Sequence, residues 1–190
     1  MVRKNIYLIC AALFPLTICS GIIYSILSLF IADLGASKTQ IGIVFTIGSI
    51  GGAVAAPLFG RTSDKIGSKA ILLVSMALFF IVFLSYSLAR NLIGMCIIQA
   101  IEGIAWAALG VSGMYLVTDS VPAEQKGEAI GLYNMTWYLG WIIGPGLGGF
   151  LSDSIGFRRT FILCSILILI GVLLTIKALN LIKGEVNESN

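Results

Sequence analysis

Gly60-Arg61-Thr62-Ser63-Asp64-Lys65-Ile66-Gly67 is answered 89 residues later by Gly149-Phe150-Leu151-Ser152-Asp153-Ser154-Ile155-Gly156, with five identities in register. Each copy closes one long apolar run and precedes another. Working outward, the apolar runs lie near residues 6–32, 38–60, 70–89, 92–117, 127–151 and 158–180, each close to the ~20 residues that a helix needs to cross a bilayer. Hydrophobic residues make up 58% of the chain and charged residues 11%, against roughly 25% charged in a soluble domain. Lipid is therefore its main solvent. Backbone N–H and C=O groups cannot stay unpaired in hydrocarbon, so spans are helices or strands of a closed barrel, and barrel strands read as about ten alternating residues. Runs of twice that length predict an all-α membrane protein: a bundle of six transmembrane helices over residues 1–182, then a polar tail over 183–190. Arg3 and Lys4 precede the first run as in a signal peptide, but Ile6 to Ala32 far exceeds an apolar core of about 7–15 residues. It reads as a retained first span.

Three helices separate the two copies of the motif, so the copies fall on opposite sides of the membrane. The chain reads as two three-helix units of inverted topology, the organisation of secondary transporters, whose halves rock about a central site. Gly, Ser and Asp are ordinary turn residues, and chance recurrence is the competing reading. Charge orients the bundle. With the N-terminus cytoplasmic, that side carries Arg3, Lys4, Arg61, Lys65, Lys69, Lys126 and Lys183, and the other carries Lys38, Arg90, Arg158 and Arg159. Seven cations against four place both termini inside, in a multi-pass protein of the cell membrane.

Composition also excludes. There is no histidine, the commonest general base and metal ligand. Cys10, Cys19, Cys96 and Cys164 sit singly in apolar runs, without the spacing of a zinc site or a disulfide framework. The net charge of +3 forms no basic stripe, so nucleic acid is not an expected partner. No enzymatic chemistry, cofactor or metal is implied; the expected partners are the bilayer, a small-molecule substrate and protons.

Three motifs resemble the major facilitator superfamily and place the whole chain on the N-terminal six of that family's usual twelve helices. Gly60-x-x-x-Asp64-Lys65-x-Gly67-x-Lys69 resembles the signature between helices two and three, with Ser68 where a basic residue is commoner. Asp119-x-x-Pro122-x-x-x-Lys126-Gly127-x-Ala129-x-Gly131 resembles the connection between helices four and five. Gly131, Gly140, Gly144-Pro145 and Gly148-Gly149 match the helix-five motif of drug and proton antiporters at every fixed position. The resemblance implies that Gly60, Asp64, Lys65, Gly67, Lys69 and Asp119 form a gating latch that holds the cytoplasmic side shut, with Lys65 pairing with Asp119. Physically, Asp64 is placed to accept from a helix N-terminus, and Gly60 and Gly67 permit close approach and a sharp turn. Gly140, Gly144 and Gly148 recur every four residues and predict a close-packed stripe; Pro145 predicts a kink.

Glu102 is the one acidic residue deep within a span, about 15 Å along helix four. A charge there is costly and usually functional. Gln99 and Trp106 share its helical face. Tyr133, Asn134 and Trp137 of helix five and Tyr24 of helix one, with Ser20, Ser25 and Ser28 beside it, complete the expected cavity, whose aromatic walls and single carboxylate suit a lipophilic cation. Glu102 is thus the expected proton or substrate site, against the alternative of a protonated acid bonded to Gln99 for packing alone. Antiporter relatives place an arginine where this chain has Gln99, which leaves uniport and symport open beside antiport. The function expected is alternating-access transport, as secondary-active efflux, by a half-length or truncated transporter completed by a second six-helix half in a homodimer or separate chain. A non-transporting membrane subunit or an inactive gene fragment is the alternative.

Overall fold

The computed structural model describes the backbone of residues 2–188 and the side chains of residues 6–181. It contains six long helices: α1 (Val2–Asp33), α2 (Lys38–Ile66), α3 (Ser68–Leu88), α4 (Leu92–Asp119), α5 (Lys126–Ile155) and α6 (Phe157–Glu188), with a 3₁₀ turn, Ala123–Gln125, before α5. Five of them are long and apolar enough to cross a membrane. The exception is α5, which has the length, at 30 residues, but whose apolar run is diluted by Tyr133, Asn134, Trp137, Tyr138, Trp141 and its glycines. Asn134, Trp137, Tyr138 and Trp141 among them line a cavity described below. Arg3, Lys4 and Lys183, used above for orientation, have side chains outside the described residues, and α6 continues as helix through most of the expected tail.

The repeated motif is helical rather than a turn, which corrects the sequence reading. Residues 60–66 form the last two turns of α2 and residues 149–155 those of α5, and a single glycine links each to the next helix. The linkers are near copies: Gly67 has φ +88° and donates to the Ser63 carbonyl at 2.9 Å, and Gly156 has φ +83° and donates to the Ser152 carbonyl at 3.0 Å. Only glycine adopts this backbone without strain, which explains its recurrence in both copies. No side chain caps the start of α3, so Asp64 does not serve that helix here.

Packing repeats as well. α1 packs along α5 as α4 packs along α2, α6 lies against α1 as α3 lies against α4, and α3 and α6 pack on each other. Exchanging the two three-helix units maps this set of contacts onto itself, as inversion of one unit onto the other requires. Without a hydrophobic force between helices in lipid, small residues must let backbones meet. A Cβ placed on Gly140 would stand 2.5 Å from the Thr17 carbonyl carbon, one on Gly144 2.6 Å from Gly21 Cα, and one on Gly148 2.6 Å from the Ile22 oxygen. The predicted stripe therefore packs on α1. Gly131 and Gly149 do not share it, having open space where a Cβ would go. At about 100° per residue, Gly131 lies half a turn round from Gly140 and Gly149 a quarter-turn from Gly148. Gly60 likewise meets nothing, and Pro145 sits within α5 without breaking it.

The end of the bundle at which α3 gives way to α4 is clasped by Arg158. Its Nη1 donates to the Ser87 carbonyl at 2.5 Å and its Nη2 to the Ala89 carbonyl at 2.6 Å, and its guanidinium lies 5.5 Å from the Phe30 ring centroid. One side chain of α6 thus satisfies the orphan carbonyls at the end of α3 and touches α1. Arg158→Ala is expected to cost about 1–2 kcal/mol, within the range for hydrogen bonds to a charged group reduced for its exposure. A lower melting temperature in detergent, with lysine restoring only part of it, is the check.

Candidate functional site

The polar residues of α4 face inward because α2 and α3 close over them. Gly48, Gly51 and Gly52 let α2 cross α4 at backbone distance: a Cβ on Gly51 would lie 2.6 Å from the Ala100 oxygen, and one on Gly103 would fall within the Gly48 carbonyl. This crossing seals Gln99 and Glu102, which are 2% and 1% exposed. A cavity of about 400 Å³ remains beside them, lined by Tyr24, Phe45, Ser49, Gln99, Glu102 and Trp106 together with the α2 glycines. Glu102, Gln99, Trp106 and Tyr24 are brought together as expected.

Tyr86 of α3 joins them, and the sequence reading missed it. Its hydroxyl lies 2.5 Å from Gln99 Oε1 and 2.6 Å from Glu102 Oε2. The signal available was the polar cluster Ser85-Tyr86-Ser87 in a helix otherwise polar only at Ser68, Lys69 and Ser75. Glu102 Oε1 is buried without a hydrogen-bond partner, and so is Ser20 Oγ. Among the described residues no cation stands by the carboxyl group: Tyr24 and Tyr86 are the titratable groups that meet it. A carboxylate here would be a buried charge without a countercharge, which a protein keeps only where neutralisation or a bound cation relieves it.

A second cavity, of about 650 Å³, opens between α4 and α5 and is lined by Trp106, Asn134, Trp137, Tyr138 and Trp141. Trp106 is the wall common to both. Its indole N–H donates to the Tyr24 hydroxyl at 2.8 Å, and its ring meets Tyr24, Phe79 and Trp137 at centroid distances of 6.0, 5.0 and 5.3 Å. The expected single cavity is thus two: an acidic one and an aromatic one. Trp141, also missed, packs 5.9 Å from Tyr24. Tyr133 lines neither cavity; it is buried against Trp137, with its hydroxyl at Gly113 of α4. Of the helix-one serines, Ser25 donates to its own helix at the Ile22 carbonyl, and Ser28 lines neither cavity.

The expected latch residues lie at the other end of the bundle. Asp64, Lys65, Lys69 and Asp119 are all exposed. Among the described residues no ion pair joins Lys65 to Asp119, so that contact is not made in this arrangement.

The arrangement is a helical wall bearing one buried acid near mid-span, made by two inverted units. A family model described as Major Facilitator Superfamily matches residues 9–187, almost the entire chain. The chain belongs to the major facilitator superfamily. Members of this family are membrane transporters. Among relatives, the multidrug resistance protein MdtG of Dickeya zeae is 29% identical over 193 residues, covering 91% of this chain and 43% of that protein. An uncharacterised transporter of the same type from Methanocaldococcus jannaschii is 28% identical over 174 residues, covering 91% of this chain and 45% of its own length. The fold matches that of the proton:xylose symporter XylE at a TM-score of 0.70 and 20% identity, over 93% of this chain and 45% of that one. The chain spans less than half the length of these relatives.

Proposed function

We propose that this chain forms the N-terminal half of a secondary-active efflux transporter, working by alternating access in the cell membrane with both termini cytoplasmic. The observation that carries the proposal is Glu102: a carboxyl group 1% exposed, lining a cavity, with no cation among the described residues to neutralise it. A group so placed binds a proton or a cationic solute and releases it when the surroundings change. The aromatic cavity supplies the solute site. Four aromatic walls and the Asn134 amide suit a flat lipophilic molecule, charged or neutral, because cation–π and apolar contacts both operate there. Similarity to a multidrug resistance protein supports outward transport of such solutes.

A second six-helix half is part of the proposal. α2 and α5 present Ile50, Val54, Leu58, Tyr138, Ile142 and Phe150 outward, and the aromatic cavity opens on the α5 side. A second copy or a separate chain would enclose it. The latch residues at the cytoplasmic ends of α2 and α4 would then act between alternative states of the completed transporter.

The test is flux of a fluorescent lipophilic cation in proteoliposomes holding the full chain, with and without an imposed pH gradient. Gradient-driven accumulation above protein-free vesicles supports the proposal. Its absence, both alone and with a second six-helix half supplied, points to a non-transporting subunit.

A further inference from the structure

The hydroxyl of Tyr86 has one proton and stands within hydrogen-bonding distance of two oxygens, Gln99 Oε1 at 2.5 Å and Glu102 Oε2 at 2.6 Å. One proton serves one acceptor, so the second short contact needs another donor. Two arrangements supply it. In the first, Glu102 is protonated and donates to Tyr86, which donates to the Gln99 carbonyl. In the second, the Gln99 amide is turned over so that its N–H donates to Tyr86, which donates to an ionised Glu102. The side-chain oxygen and nitrogen of a glutamine exchange places by a half-turn about one bond. Both arrangements give each short contact its donor, both leave Glu102 Oε1 without a partner, and they differ by one proton on Glu102.

We propose that Gln99 and Tyr86 form a reversible hydrogen-bond relay that lets Glu102 gain and lose a proton inside the bundle without a fixed countercharge. This deepens the coupling role given to Glu102 above and rests on that reading. When the Glu102 O–H bond breaks, its proton passes to a water molecule in the acidic cavity. The Tyr86 hydroxyl then turns from Gln99 to the carboxylate, and the Gln99 amide reverses to donate to Tyr86. Reprotonation runs the sequence backwards. The groups facing Glu102 are consistent with such a device. α1 brings Tyr24, whose hydroxyl accepts from Trp106; α3 brings Tyr86; α2 brings Phe45, Gly48, Ser49 and Gly52, none of which titrates. Tyr86 is held in place by its own helix and by α6. Tyr86 packs against Phe83 and Phe161, and the turn of α3 that carries it is pinned by Arg158 at Ser87 and Ala89.

The experiment is infrared difference spectroscopy of the full chain in lipid, titrated between about pH 4 and 10, the span in which a displaced carboxyl group titrates. The protonated-carboxyl band is assigned by its loss in Glu102→Gln and the side-chain amide band by its loss in Gln99→Leu. The relay predicts that the amide band changes with the same midpoint as the carboxyl band. It predicts also that Tyr86→Phe uncouples the two and raises the carboxyl midpoint by about one pH unit, a tenfold gain in proton affinity, because the carboxylate loses its charge-assisted donor. An amide band that stays silent while Glu102 titrates overturns the relay and leaves the coupling role standing. A Glu102 that never titrates defeats both.

Discussion

Glu102→Gln is expected to abolish the response of transport to a pH gradient while leaving the chain folded and inserted. Glutamine keeps the shape of a protonated glutamate and can donate its amide N–H to the Tyr86 hydroxyl in place of the acid proton, so the bundle loses no contact that it needs for packing. It cannot release a proton. Coupling between two bound species is typically worth about 5–150-fold in affinity, and gradient-driven accumulation of the test cation should fall by a factor in that range. Passive, gradient-independent movement should persist in the variant, because the aromatic cavity is lined by Trp106, Asn134, Trp137, Tyr138 and Trp141 and by no charged residue. Measured side by side in proteoliposomes, equal gradient responses from wild type and variant would end the coupling role. Loss of passive movement as well would show that the solute itself binds the carboxyl group.

The second large effect is structural. Gly103→Val should prevent the bundle from forming, because even the first added carbon enters the Gly48 carbonyl, a backbone atom that cannot move unless α2 moves. Overpacking of a well-filled interior typically costs about 1–3 kcal/mol; here two backbones must part and the cover over Gln99 and Glu102 opens with them. Gly144→Val should act alike on the α1–α5 contact, where the obstacle is Gly21 Cα at 2.6 Å. Gly131→Ala is the internal control. It faces open space, and the greater helix propensity of alanine should leave stability unchanged or raise it by up to about 1 kcal/mol. Yield of folded protein in membranes and melting in detergent distinguish the three.

Much of this was legible in the sequence, because bilayers impose few choices. A chain with six apolar runs has to form helices, and a lone acid within one of them has to be explained. On those grounds the burial of Glu102 beside a cavity and the close packing of Gly140, Gly144 and Gly148 were legible. What sequence concealed were relations between helices. Tyr86 looks like any aromatic in an apolar run until α3 is laid against α4, and only then do its two acceptors appear. Gly48, Gly51 and Gly52 look like generic small residues until their partners on α4 are known. The division of the site into two cavities depends on where one indole ring lies, and Trp106 is fixed there by Tyr24 and Phe79 from two other helices. Helix ends were misjudged for a different reason. The motif beginning at Gly60 is rich in turn-forming residues, yet helix continues to Ile66 because the reversal is accomplished by Gly67 alone.

Alternating access exposes one cavity to each side of the membrane in turn, and a cysteine at Ser49 tests this most directly. Ser49 is exposed and lines the acidic cavity. In a Cys96→Ala background, a membrane-impermeant thiol reagent applied in turn to sealed right-side-out and inside-out vesicles should modify Ser49→Cys from both sides, with pH shifting the balance between them. Modification from one side only, at every pH, would contradict alternating access.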